Sequence, residues 1–222
     1  MKRTLTWSIC LLALAVCAMP AMAATTLYSN LGSGSSVYNC CSGWTVSGTG
    51  TVGTSFTSAN EFQVAVSGSV TEIDIAVGYV TGANSFYVAV DKDNGGQPGG
   101  QLAMFSNLSS STNFGSCCGL VSITGISGLS LSTGTNYWMV VGPTSTTSTT
   151  WEAWNFSNSA TGTDEYSTDG GKTWNSNGTQ PQGAFQIIGG SGGGQTPEPS
   201  SLLLFGTGIV GAFAAFRRKI NL

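Results

Sequence analysis

The chain contains no histidine, and between its two ends it contains no arginine. Without histidine there is no Ser-His-Asp or Cys-His nucleophile, no imidazole ligand for zinc or iron, and no imidazole switch near neutrality. Charge is scarce throughout, at 8% of the 222 residues. Between residues 24 and 196 the only basic side chains are Lys92 and Lys172, set against nine acids. A nucleic-acid-binding surface needs Lys and Arg to displace counterions from phosphates, which excludes nucleic acid as a partner. What this body has instead is Gly, Ser and Thr, nearly half of its residues, together with 18 aromatic side chains. The aromatics, with several stretches of period-two alternation, argue for a packed core rather than disorder. A body of this size fits a single domain.

Residues 1–23 have the parts of a secretory signal. Lys2 and Arg3 give the positive start, residues 9–18 are a ten-residue apolar run, and Ala21-Met22-Ala23 supplies a small-x-small cleavage site. The mature chain is therefore expected to begin at Ala24. The run is too short to span a bilayer, and a lipoprotein site at Cys17 is disfavoured by the bulky Val16 before it. At the other end Pro197, Glu198 and Pro199 precede an apolar stretch, residues 202–216, and then Arg217, Arg218 and Lys219. As a helix, residues 202–216 reach about 22 Å, short of a hydrocarbon core of roughly 30 Å unless flanking Ser and Arg snorkel. The expectation is a membrane helix with its basic end cytoplasmic and the body outside, a plain tail anchor being the simpler alternative. Residues 189–196, rich in glycine, read as a flexible linker.

This order of P-E-P triplet, apolar stretch and terminal basic residues resembles the PEP-CTERM sorting signal of Gram-negative bacteria, over residues 197–222. The resemblance implies processing near the triplet by an exosortase, a membrane transpeptidase-like enzyme. It also implies transient anchoring in the inner membrane and a destination at the cell surface or in the extracellular matrix, alongside exopolysaccharide.

Within the body, residues 73–79 and 86–90 alternate or run apolar as strands do. Further candidates are 62–66, 102–105, 120–123, 137–141, 151–156 and 184–188, punctuated by turn-forming segments such as 93–100 and 132–136. Outside the termini no stretch sustains a helical period. These features predict an all-β fold, a single antiparallel β-sandwich or jelly roll over residues 24–188. Cys10 and Cys17 depart with the signal, leaving Cys40, Cys41, Cys117 and Cys118. In an oxidising compartment these are expected to form disulfides. Of three pairings, two cross-link the segments and one closes two vicinal bridges. A zinc site is disfavoured because adjacent cysteines lack the usual C-x₂-C spacing. The cysteine pairs, the segments 90–99 and 134–141, and the short motifs at 151–155 and 183–185 resemble the exported choice-of-anchor R domains. That resemblance, over residues 27–188, implies an extracellular β-domain and carries no catalytic set.

Three constellations could carry chemistry. Residues 167–174 match the Asp-box pattern S-x-D-x-G-x-T-W, best read as a stabilised hairpin turn, since a sialidase-like propeller would need several copies. Asp91, Asp93 and Asn94 resemble the opening of a calcium loop, but Gly95 and Leu102 occupy positions where an EF-hand needs ligands, which leaves a solvated turn, with a two-carboxylate calcium site built with other loops as the alternative. Glu152, Asp164 and Glu165 lie near Trp151, Trp154 and Tyr166, a composition that glycosidases and saccharide-binding surfaces share. On a strand Trp151 and Trp154 face opposite sides, so one packs inward and the other is a candidate stacking platform for a sugar ring. The expected function is a non-enzymatic structural or adhesive role after exosortase sorting, with no metal or cofactor. A carbohydrate-binding module contacting exopolysaccharide is the alternative.

Overall fold

A computed structural model of the protein describes residues 24–191. The secretory signal expected over 1–23, linker residues 192–196 and the tail 197–222 with its expected helix lie outside the described residues. In chain order the strands are β1 (Thr25–Ser29), β2 (Asn39–Ser47), β3 (Thr57–Gln63), β4 (Gly68–Ile75), β5 (Val77–Thr81), β6 (Phe86–Asp93), β7 (Pro98–Leu108), β8 (Val121–Thr124), β9 (Ser130–Leu131), β10 (Asn136–Pro143), β11 (Trp151–Ser167), β12 (Asn175–Gly183) and β13 (Phe185–Ser191). A single helical turn, α1 (Thr49–Val52), interrupts them. Among the described residues no helix is long and apolar enough to cross a membrane.

Two antiparallel sheets form. The smaller has the order β1-β13-β4-β8, with β9 also on β4. The larger has the order β12-β11-β3-β10-β6-β7, with β2 and β5 pairing with β11. The buried faces meet in one apolar cluster that includes Leu27, Ile73, Ile75 and Ile187 of the smaller sheet and Phe62, Val88, Met139 and Trp154 of the larger. Phe185 lies at its centre of aromatic packing, 5.4 Å from Phe62 edge-on and 4.7 Å from Tyr28 in a stack. The expected all-β sandwich is thus present.

Two of the expected boundaries change. Residues 73–79 do not form one strand: the chain passes from the smaller sheet to the larger at Ala76. The Ala76 N–H donates to Ala184 O at 3.0 Å, Asn155 N–H to Ala76 O at 2.8 Å, and Ala184 N–H to Asn155 O at 2.8 Å. Ala184 is itself the step between β12 and β13, so two strands switch sheets at one corner, as sandwich strands do at bends. Ile73, Ile75 and Val77 stay in the core across the corner, which is why the sequence reads as uninterrupted alternation. Residues 189–191, expected to open the linker, are strand instead. Gly189, Gly190 and Ser191 pair with Val70, Ser69 and Gly68 as the end of β13.

Candidate functional site

The three acids that suggested saccharide chemistry do not face one another across a cleft. Glu152 shares a strand face with Trp154 and is fully buried. Neither carboxyl oxygen finds a hydrogen-bond partner, and burial pushes its pKa up to about 8. Asp164 and Glu165 are consecutive on β11 and point to opposite faces. Asp164 is buried and accepts the Nδ2 groups of Asn60 at 2.7 Å and Asn177 at 2.6 Å. Desolvation nevertheless outweighs these bonds and raises its pKa to about 7. Asn60 Oδ1 in turn accepts the Gly183 N–H at 2.6 Å, so the Asp164 network ties β3, β11 and β12 together. Glu165 is buried opposite Ala59, with Oε2 unpartnered.

Of the two candidate stacking tryptophans, Trp154 is removed from consideration. Its indole is wholly buried, and Nε1 donates to Ala184 O at 3.3 Å. Trp151, on the opposite face, is half-buried. Only the opposite-sides expectation for the pair therefore carries forward.

The outer face of the larger sheet holds a second, smaller cluster that the sequence reading missed. Ala59, Ala89, Trp138 and Val140 are buried there under Tyr87 and Trp174. Apolar residues at consecutive positions of β10, from Tyr137 to Val141, were the available signal, because a strand covered on both faces shows no alternation. The Asp-box turn provides the cover. Asp169 Oδ1 accepts the N–H groups of Lys172 at 3.0 Å and Thr173 at 2.9 Å, and Oδ2 accepts the Thr173 hydroxyl at 2.8 Å. Ser167 Oγ donates to Asp169 at 2.8 Å and accepts the Gly171 N–H at 2.8 Å. Gly170 and Gly171, at φ of 76° and 86°, take the left-handed conformation that the turn demands. These bonds, the Thr173 N–H foremost, hold the Asp169 carboxyl down to about 2. The conformational reading of the motif matches this geometry.

The Asp91-Asp93-Asn94 segment is likewise used within the fold. Asp93 Oδ1 accepts the Trp138 indole N–H at 3.0 Å and the Gly96 N–H at 3.0 Å, closing the β6–β7 turn. Asp91 is half-buried opposite Trp138, with Oδ1 unpartnered, and desolvation raises its pKa to about 6. Among the described residues no three His, Cys, Asp or Glu side chains gather so as to hold a metal ion.

Beside this turn lies an open cavity of about 720 Å³, lined by Gln63, Lys92, Asp93, Asn136, Tyr137 and Leu102 among others. Its rim is tied down by side-chain hydrogen bonds. Gln63 donates to Asn136, Asn136 donates to Glu61, and the Thr163 hydroxyl donates to Glu61 Oε2 at 2.8 Å. Amides, an ammonium and a carboxylate beside one aromatic ring can exchange hydrogen bonds with a hydroxyl-rich ligand.

Of the four cysteines expected in disulfides, only two are bridged. Cys117 and Cys118 are joined to each other, while Cys40 and Cys41 are free thiols with sulfurs 3.4 Å apart. The two cysteine segments lie close together. The Gly115 N–H donates to Cys40 O at 2.9 Å, and Cys40 and Cys118 pack on the same small cluster of Tyr38, Ala76 and Ala184.

Fold and site together describe a two-sheet β-domain whose sequence motifs serve turns and packing. Residues 195–219 match the PEP-CTERM protein-sorting motif, which makes the chain an exported, cell-envelope-directed protein processed by an exosortase. No curated protein and no solved structure matches the chain.

Proposed function

We propose that the chain is a non-enzymatic structural or adhesive component of the cell surface or extracellular matrix of a Gram-negative bacterium. The observation that carries this reading is the sorting motif at 195–219, which follows a sandwich closed by strand β13 at Ser191. In this reading the tail helix holds the protein in the inner membrane until the exosortase acts near Pro197, Glu198 and Pro199. The body is then released among exopolysaccharide. Burial of Glu152, Asp164 and Glu165 supports a role without glycoside hydrolysis, because that chemistry needs two carboxyl groups facing a sugar at a narrow separation. Deleting Pro197, Glu198 and Pro199 tests the route: export should persist while tail removal stops. Unchanged tail removal by mass spectrometry refutes it.

A second reading, saccharide binding without catalysis, is favoured by the polar cavity beside Asn136 and Lys92. A glycan-array screen of residues 24–196 tests it. Binding that is lost in Asn136→Ala but kept in Trp151→Ala would place the ligand in the cavity. The reverse pattern would place it on the half-buried Trp151.

A further inference from the structure

Two thiols and one disulfide lie at one corner of this molecule, around one small apolar cluster. The disulfide sulfurs sit against the segment that leads into β2: Cys117 Sγ is 3.9 Å from Tyr38 O, and Cys118 Sγ is 3.6 Å from Ser35 O. Cys40 lies two residues beyond Tyr38 on that segment and packs, with Cys118, on the Tyr38–Ala76–Ala184 cluster. Cys41 is exposed and Cys40 half-buried. We propose that the four cysteines form one thiol–disulfide exchange site, in which the Cys40 and Cys41 thiols are the reductant and the Cys117–Cys118 bridge is the oxidant.

The reaction balances within the chain. The Cys40 thiolate attacks Cys118 Sγ, a Cys40–Cys118 bond forms, the Cys117–Cys118 bond breaks, and the electron pair leaves on Cys117 as thiolate. The Cys41 thiolate then attacks Cys40 Sγ, closing Cys40–Cys41 and releasing Cys118 as thiolate. The two protons lost by Cys40 and Cys41 pass through solvent to Cys117 and Cys118. No outside oxidant is needed. The division of labour follows from the pair itself. Hydrogen bonding to the Cys40 sulfur, then charge repulsion from it, pushes the Cys41 thiol above its ordinary range. Cys41 thereby keeps its proton while Cys40 acts first, and it becomes the resolving thiol once Cys40 is committed. The intermediate joins β2 to the segment before β8, so the exchange passes from one local bridge to another through a long-range staple. This inference is independent of the proposed surface role.

Lys92 is the only basic residue between the two pairs, so trypsin separates them. The full exported chain, purified without reductant and equilibrated at pH 8, is quenched with acid, blocked with N-ethylmaleimide in denaturant and digested. The expected result is that part of the material carries the peptide ending at Lys92 joined reducibly to the peptide from Asp93 to Lys172. Cys41→Ser should raise that joined fraction several-fold, because nothing resolves the intermediate. Cys40→Ser should lower it several-fold. A bridge confined to the second peptide, with two blocked thiols on the first in wild type and both variants, overturns the proposal. An equal joined fraction in all three proteins also overturns it, since that is a fixed cross-link and not an exchange.

Discussion

Gly183 gives up its side chain to Trp154. A β-carbon on Gly183 would sit 2.1 Å from Cε2 of the indole, so the ring lies directly against the backbone at the end of β12. The contact holds the largest buried side chain of β11 at the corner where the chain enters β13.

Gly183→Ala should therefore destabilise the domain much as loss of the ring does. Trp154→Ala is expected to cost about 3–5 kcal/mol, the range for a large buried aromatic. Trp151→Ala, at a half-buried position, should cost under about 1.5 kcal/mol. Urea denaturation of residues 24–191 followed by circular dichroism measures all three, and equal losses for Trp151→Ala and Trp154→Ala would contradict this assignment of faces.

Stability should fall as pH rises from mildly acidic to mildly alkaline. Glu152 binds its proton more tightly folded, at about 8, than unfolded, near its ordinary 4.5. Its contribution is fully present below about 4.5 and is lost as pH rises through about 8. Asp164, raised to about 7, acts in the same direction. Glu152→Gln should match wild type at pH 5 and melt at a higher temperature at pH 9. Parallel melting curves for the two proteins across that range would remove Glu152 as the source.

Asp169 has the opposite sign. Its carboxyl is held at about 2 in the turn, so its contribution is present above the ordinary 3.8 and is lost as pH falls through about 2. Asp169→Ala should lower the melting temperature at neutral pH and shift Trp174 emission to the red as the turn releases the ring from Tyr87 and Trp138. Unchanged emission would mean that Trp174 is seated without the turn.

Strand after strand of the core was legible because alternation survives wherever one face is wet. Ile73 to Val77 show it; Phe86 to Val90 and Tyr137 to Val141, covered on both faces, announce β6 and β10 instead as short continuous apolar runs. β12 gives no such signal: its Asn, Ser, Gly, Thr and Gln side chains mostly face solvent, and it is a strand because β11 offers it a ladder. The second half of β11 is equally silent, which hid its pairing with β3. β2 was not among the expected strands: Gly43 and Trp44 pair with Asn155 and Trp154, while Cys40 to Ser42 fall in the register shift before Asn39 meets Phe156. For the site, local chemistry was legible in the Asp box, since its bonds span only a few residues. The burial of Glu152, the Trp138 cluster and the approach of the two cysteine pairs depend on contacts between residues distant in the chain.

β13 is the last described strand in the chain and lies between β1, the first, and β4. The smaller sheet consequently has no interior until residues 185–191 are in place, and Leu27 and Ile73 have nothing between them before that. In a chain that emerges N-terminus first, the larger sheet has all its strands once β12 is through, whereas closure of the smaller sheet falls to the final stretch before the sorting motif.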